Sequence, residues 1–253
     1  MRFYGKTDIG LKRRNNQDSY AVFSHDGYVC AVVCDGMGGA KGGNVASGTA
    51  VKAFANTVRK AFVGKSPDEF DARSVKALLK NAAETANKAV FDKANSDEEL
   101  DGMGTTIVAV ICCQCGNFAI NIGDSRIYKK TSAGFKQVST DHSFVQYLID
   151  KGEITPAEAA VHPNKNIILR ALGVNEAVEG DIYTIRDFDQ ILLCTDGLTN
   201  HLDDRRINTV ISGLTANGKR ESIKLRVERL IEEANAAGGS DNITAVIIEN
   251  DHS

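Results

Sequence analysis

The amino-acid sequence predicts an α+β fold in which long helices cover an antiparallel sheet system. Three observations carry that expectation. Apolar runs at 105–113, 117–122 and 126–130 are joined only by Gln114-Cys115-Gly116 and Gly123-Asp124-Ser125. Links this short suit antiparallel neighbours, because a parallel pair needs a crossover of about 12 residues. Three longer segments carry apolar residues at helical spacing instead. No Pro- or Ser-rich linker and no repeat of fixed period divides the 253 residues, so one domain spanning 1–253 is expected.

In chain order, the first expected strand is 28–34, an unbroken apolar run. A helix follows, with Val51, Phe54, Ala55, Val58, Ala61 and Phe62 on one face. The next helical stripe is Val75, Leu78, Leu79, Ala82, Ala86, Ala89 and Val90. The three tightly linked strands come after it. Residues 141–175 break the rhythm: Thr155-Pro156-Ala157-Glu158 is a natural helix start, and the stretch reads as an inserted flap. Strands at 180–185 and 190–195, a helix through Ile223, Val227, Leu230, Ile231 and Ala234, and a strand at 242–249 complete the chain.

Composition narrows the function. Thirty basic against thirty-three acidic residues give a formal charge of -3, which argues against a general nucleic-acid binder. No apolar run approaches the ~20 residues of a membrane span. The first residues, Met1-Arg2-Phe3-Tyr4-Gly5-Lys6, lack the apolar core of a secretory signal, so a cytoplasmic address is expected. Most of the six cysteines fall inside apolar runs and read as small buried hydrophobes.

The chemistry lies in the aspartates. Asp35, Asp124 and Asp196 each follow an apolar strand, and Asp241 precedes one. In an antiparallel sheet the start of one strand lies beside the end of its neighbour, so all four carboxylates are expected on one edge. A fifth, Asp18, follows Arg13-Arg14-Asn15-Asn16-Gln17. A single Asp-Gly after a strand is usually only a turn. Four together repel one another and call for a cation. Oxygen donors without histidine suit Mg²⁺ or Mn²⁺ rather than zinc, and none of His25, His142, His162, His201 or His252 stands in an HExxH spacing. The loop from Asp35 to Gly43 fails the P-loop pattern, since Gly42 follows Lys41. Its glycines are expected to bring the backbone close to a metal.

Taken together, these residues resemble the metal-dependent Ser/Thr protein phosphatases of the type 2C class, in particular the bacterial single-domain members. The motifs run in family order: Arg13-Arg14-Asn15-Asn16-Gln17-Asp18, Asp35-Gly36-Met37-Gly38-Gly39, Gly104-Thr105-Thr106, Gly123-Asp124-Ser125-Arg126, Thr195-Asp196-Gly197-Leu198 and Ser240-Asp241-Asn242. Asp141-His142-Ser143, His162-Pro163 and Arg170-Ala171-Leu172-Gly173 resemble the bacterial flap.

The resemblance implies a four-layer sandwich of two antiparallel β-sheets flanked by helices on both faces, with a small flap insertion. It implies two core Mn²⁺ or Mg²⁺ ions: Asp35 bridges them, the Gly36 carbonyl completes one site, and Asp196 and Asp241 complete the other. Asp124, with Asp196, would serve a weaker third ion. Asp18 would orient water on the metals, and Arg13 would grip the substrate phosphate. Paired cations about 3.5–4 Å apart acidify a shared water for in-line attack on phosphorus. Met37 stands where many eukaryotic relatives place a histidine, so water on the metals is the implied proton donor to the leaving oxygen. Gln17 stands where relatives often carry glutamate. The implied partners are phosphoserine and phosphothreonine proteins and a cognate Ser/Thr kinase, and the implied enzyme is a monomer. Two alternatives stay open: a catalytically weak binding module, which retention of Asp35, Asp196 and Asp241 disfavours, and a phosphatase of small phosphometabolites, which uses the same chemistry.

Overall fold

Alternation along the central strands decides the layers. The computed structural model describes residues 1–25, 27–214 and 220–251, so His252 lies outside it. In β3 (Tyr28–Met37), Tyr28, Cys30, Val32 and Cys34 face one way and Val29, Ala31 and Val33 the other, and both sets are buried. A strand that is apolar on both faces has to be covered on both. Here an opposing sheet covers one face and helices cover the other.

The first sheet has the order β2 (Asp18–His25), β3, β5 (Ile107–Cys113), β6 (Gly116–Ile122) and β9 (Asp181–Ile185), with the short β4 (Gly104–Thr105) beside the end of β3. The second runs β1 (Arg2–Asp8), β11 (Ile243–Glu249), β10 (Gln190–Cys194), β7 (Arg126–Thr131) and β8 (Gly134–Gln137). Every pairing between these strands is antiparallel. Val33, Val108, Val110, Ile127, Leu193 and Val246 belong to the core between the sheets. Helices α1 (Gly39–Phe62) and α2 (Ala72–Ser96) pack on the outer face of the first sheet. Helices α5 (Asp196–Thr199), α6 (Asp204–Ser212) and α7 (Ile223–Ala236) pack on the outer face of the second. The α+β sandwich is therefore as expected.

Burial outweighs propensity in α1. Gly39, Gly42 and Gly43 open the helix, and each interior glycine costs about 1 kcal/mol relative to alanine. Phe54, Val58 and Phe62 are buried against the sheet, each contributing about 1.5–3 kcal/mol. The expected loop through Gly43 is thus helical from Gly39 onward. Gly36 also serves a close approach within the protein: a Cβ there would lie 2.0 Å from the Gly43 carbonyl oxygen and 2.6 Å from that of Gln17. The glycines let the first turn of α1 settle directly on the end of β3.

One expected pairing is wrong. β5 and β6 form a hairpin, but β7 does not join them. It pairs with β10 and β8 in the other sheet. Three extended residues reach about 10 Å, close to the ~10 Å between packed sheets, so a link this short can step across the sandwich. The step occurs at Gly123, whose φ is 112° and where a Cβ would meet the Thr106 side chain at 2.6 Å. Strands β1, β2 and β8 also lie outside the sequence expectation, and the expected strand 105–113 is split into β4 and β5. Within 141–175 the chain forms α3 (Phe144–Asp150) and α4 (Pro156–Ala160), the latter opened by a Thr155–Glu158 capping box.

Candidate metal centre

The register of β2 against β3 puts Asp18 directly opposite Asp35. Like charges facing each other across a ladder are destabilising, so something at this point has to offset them. The backbone of Asp35 is pinned: its carbonyl accepts from Thr105 Oγ1 at 2.7 Å and from the Thr106 N–H at 2.9 Å, and its N–H donates to Thr106 Oγ1 at 2.9 Å. Asp18 lies behind it, buried, with Oδ2 accepting from Thr195 Oγ1 at 2.8 Å and Thr244 Oγ1 at 2.6 Å. Since a hydroxyl has one proton, Thr7 Oγ1 donates in turn to Thr244 at 2.7 Å and accepts from Asn16 at 2.9 Å.

The other sheet brings the remaining acids. Asp196 opens α5, with Oδ2 accepting from Asn200 Nδ2 at 2.9 Å one turn later. Asp241 precedes β11, and its Oδ2 accepts from Arg13 at 2.8 Å. Asp124 sits in the link that crosses between the sheets. Asp35, Gly36, Asp124, Asp196 and Asp241 line a single open pocket of about 770 Å³, together with Arg13, Arg14 and Gln17. Lys165, Asn166 and Ile168 reach its rim from the 141–175 segment.

These carboxyls are poorly compensated. Asp35 is held well above the ordinary carboxylate range by burial and then by Asp18, Asp196, Asp124 and Asp241. Asp18 is pushed up to about 7, chiefly by burial, against the pull of the two threonine hydroxyls. Asp124 rises to about 7 through burial, with Asp196 and Asp141 adding to it. Asp196 is raised by burial and by Asp241, and is eased by hydrogen bonds with Asp35 and Asn200. Oδ1 of Asp18, of Asp124 and of Asp196 is buried with no hydrogen-bond partner. Orphaned acceptors and mutually repelling acids are what a hard divalent cation relieves. Among the described residues no three acid, histidine or cysteine side chains close on one point by themselves. Mg²⁺-type ions are ordinarily held by one or two carboxylates with water filling the rest, and the donor set fits such ions.

Residues 12–232 match the protein phosphatase 2C family. The chain belongs to that family. It is 35% identical to the serine/threonine phosphatase stp of Listeria monocytogenes, covering 97% of this chain and 94% of that protein. The solved structure of the serine/threonine phosphatase Stp1 from Staphylococcus aureus superimposes with a TM-score of 0.86 at 30% identity, over 98% of this chain and 94% of that one. The catalytic domain of the serine/threonine protein phosphatase PstP, solved with two manganese ions, gives 0.79 at 32% identity over 98% and 97%. As a 2C phosphatase the chain is a phosphoprotein phosphatase whose ions are Mn²⁺ or Mg²⁺.

The sequence picked out the acids that line this pocket but not their supports. Asn200, the i+4 neighbour of Asp196, was missed because no helix was expected after strand 190–195. Thr195 and Asn242 sit inside the quoted motifs; Asn242 Oδ1 accepts the Gln17 N–H at 2.8 Å, and its Nδ2 donates to the carbonyls of Ile9 and Asn15. Lys165 and Asn166 carried no signal, since their approach depends on how 141–175 folds. The Arg126 guanidinium grips Asp141 at 2.7–3.1 Å, so Asp124 does not pair with its neighbour Arg126.

Proposed function

We propose that Asp35, the Gly36 carbonyl, Asp196 and Asp241 hold two core cations, and that Asp124 with Asp196 serves a weaker third. The chain is a protein serine/threonine phosphatase, hydrolysing the phosphoester to a free hydroxyl and inorganic phosphate. Mn²⁺ or Mg²⁺ in such a site acidifies water and withdraws charge from phosphoryl oxygens. The protein's own groups do the rest. Arg13, which lines the pocket beside Asp241, takes the substrate phosphate as a charged donor. Asp18, fixed through Oδ2 by two threonines, keeps Oδ1 free to orient the attacking water. Gln17 donates through Nε2 to the Gly39 carbonyl at 2.7 Å and so fastens the first turn of α1 to the site. Met37 lines the pocket where an acid side chain would otherwise stand, so protonation of the leaving serine or threonine oxygen falls to water.

The observation that carries this reading is the convergence of unneutralised carboxyls from both sheets on one pocket. Residues 1–253 then work as one catalytic domain, with 141–175 as a flap that meets the protein substrate. The enzyme acts as a monomer and opposes a Ser/Thr kinase, whose product is the substrate consumed here. Six cysteines, all free, suit a reducing cytoplasm, and among the described residues no helix is long and apolar enough to cross a membrane. Phosphate release from a phosphothreonine peptide tests the reading: activity with Mn²⁺ that disappears in EDTA supports it, and full activity in EDTA overturns it.

A further inference from the structure

Among the described residues no side chain donates a hydrogen bond to the Asp124 carboxylate. Its Oδ1 is buried without a hydrogen-bond partner, and the adjacent Arg126 is committed to Asp141. The direction of the side chain therefore depends on the backbone that bears it, and the residue just before it is Gly123, where the chain crosses between the sheets. Both polar groups of Gly123 meet one residue. The Gly123 N–H donates to His142 Nδ1 at 3.1 Å, and the His142 N–H donates to the Gly123 carbonyl at 2.9 Å. Asn121 Nδ2 adds a longer bond to the same carbonyl, at 3.3 Å.

The imidazole is fixed from its far side as well. With Nδ1 accepting, Nε2–H is left to donate to Asp181 Oδ2, at 3.2 Å. Asp181 Oδ1 in turn accepts from Arg170 at 3.2 Å. His142 is buried, and its carbonyl accepts the Leu169 N–H at 2.7 Å. Ser143 then bridges to Ile168, which lines the central pocket. The two arms of 141–175 meet at the backbone of this residue, and its imidazole adds the bond to the Gly123 N–H in the link that bears Asp124.

We propose that His142 is a positioning residue that holds Gly123 so that Asp124 points into the metal pocket, tying that aspartate to the base of the 141–175 segment. The inference rests on the reading of Asp124 as a ligand of the weak third cation. It assigns His142 no contact with substrate or metal. The geometry also separates the ring's two bonds. An asparagine places its amide oxygen near the position of Nδ1 and still accepts from Gly123, whereas a glutamine amide reaches toward Nε2 and serves Asp181 instead.

The test compares His142→Asn, His142→Gln, Asp124→Asn and the double variant His142→Gln/Asp124→Asn. Two readouts are used: Mn²⁺ binding followed by the electron paramagnetic resonance of the free ion, and kcat on a small aryl phosphate at saturating Mn²⁺. His142→Gln should keep the two tight ions, lose the weak one, and lower kcat roughly tenfold to a hundredfold, the usual effect of losing a partner that orients a ligand. His142→Asn should stay near wild type in both readouts. The double variant should be no slower than Asp124→Asn alone, because both changes disable the same carboxylate. Penalties that multiply in the double variant, or an Asn variant as impaired as the Gln variant, would overturn the proposal. If Asp124→Asn itself keeps the weak ion and full kcat, the reading of Asp124 falls. If Asp124→Asn is impaired while His142→Gln is normal, the role of His142 alone falls.

Discussion

Strand β11 has an acid at each end, and the fold treats the two ends oppositely. At its last residue, Glu249 is fully buried and fully served. Its Oε2 accepts from Arg226 at 2.6 Å and Gln190 at 2.8 Å, and its Oε1 accepts from Arg2 at 2.7 Å. Burial by itself would raise this carboxyl, but the bonds from Gln190 and Arg226 and the charges of Arg226 and Arg220 outweigh it and hold the pKa below the ordinary value. At the first end, just before β11, Asp241 joins Asp18, Asp35, Asp124 and Asp196. The last four of these acids are all shifted the other way, with three orphaned oxygens among them. The protein is evidently able to bury an acid against its own arginine, and at the pocket it does not do so for these four. An edge left in repulsion is the signature of a charge brought in from outside.

The largest effects should come from breaking that edge. Asp35→Asn, Asp196→Asn and Asp241→Asn should each reduce Mn²⁺-dependent hydrolysis of a phosphothreonine peptide to the level of the blank, since an amide supplies no anionic donor. Retention of wild-type turnover by any of them would remove that residue from the ligand set. At the opposite end, Glu249→Gln should leave kcat of the folded enzyme unchanged. It should cost about 3–5 kcal/mol of stability, because the buried Arg226 is left uncompensated. Urea melts beside steady-state kinetics separate the two outcomes, and a loss of kcat without a loss of stability would contradict the contrast drawn along β11.

Arg13 gives a smaller effect. Its guanidinium is raised above its usual pKa chiefly by the hydrogen bond to Asp241, and it is placed to exchange that partner for a phosphate. Arg13→Ala should lower kcat/KM for phosphopeptides roughly tenfold to a hundredfold, the loss of a charged hydrogen bond worth about 1.5–3 kcal/mol. Arg14→Ala should change little; equal effects at both would refute the assignment.

The pH dependence is the mildest test. An acid whose pKa is raised by folding stabilises the fold while it is protonated, and that contribution is lost as pH rises through the folded value. In chelator, stability should therefore fall between the ordinary 3.8 and about 7, where Asp18 and Asp124 titrate. Excess Mn²⁺ should flatten or reverse that slope. A chelated protein that gains stability over this window would show that the pocket acids are already satisfied.

Much of this contrast was legible from the sequence, and the gaps have physical causes. Asp35, Asp124, Asp196 and Asp241 stand out because each adjoins a long apolar strand, and a strand places its terminal residues rigidly. The β5–β6 hairpin was legible for the same reason. β7 was misplaced because link length cannot distinguish a turn within one sheet from a step to the facing sheet. β1 was passed over because it is a half-buried edge strand whose inward residues are split between two cores: Phe3 packs with the inter-sheet core and Tyr4 with the outer one. The supports of Asp18 were invisible because Thr7, Thr195 and Thr244 meet only through β-sheet register across most of the chain. Arg226 carried no signal in the sequence, yet it is buried where α7 meets the end of β11. Long-range register, not local pattern, decides these cases.

Thermal melting of the wild type and of Asp35→Asn, each in EDTA and in saturating Mn²⁺, tests the central claim most directly. If the pocket acids are held in repulsion for an incoming cation, Asp35→Asn should melt above the wild type in EDTA, because one of the opposed charges is gone. The wild type should gain strongly on adding Mn²⁺, and the variant should gain little. An Asp35→Asn protein that melts below the wild type in EDTA, and rises as much as the wild type with Mn²⁺, would contradict the account.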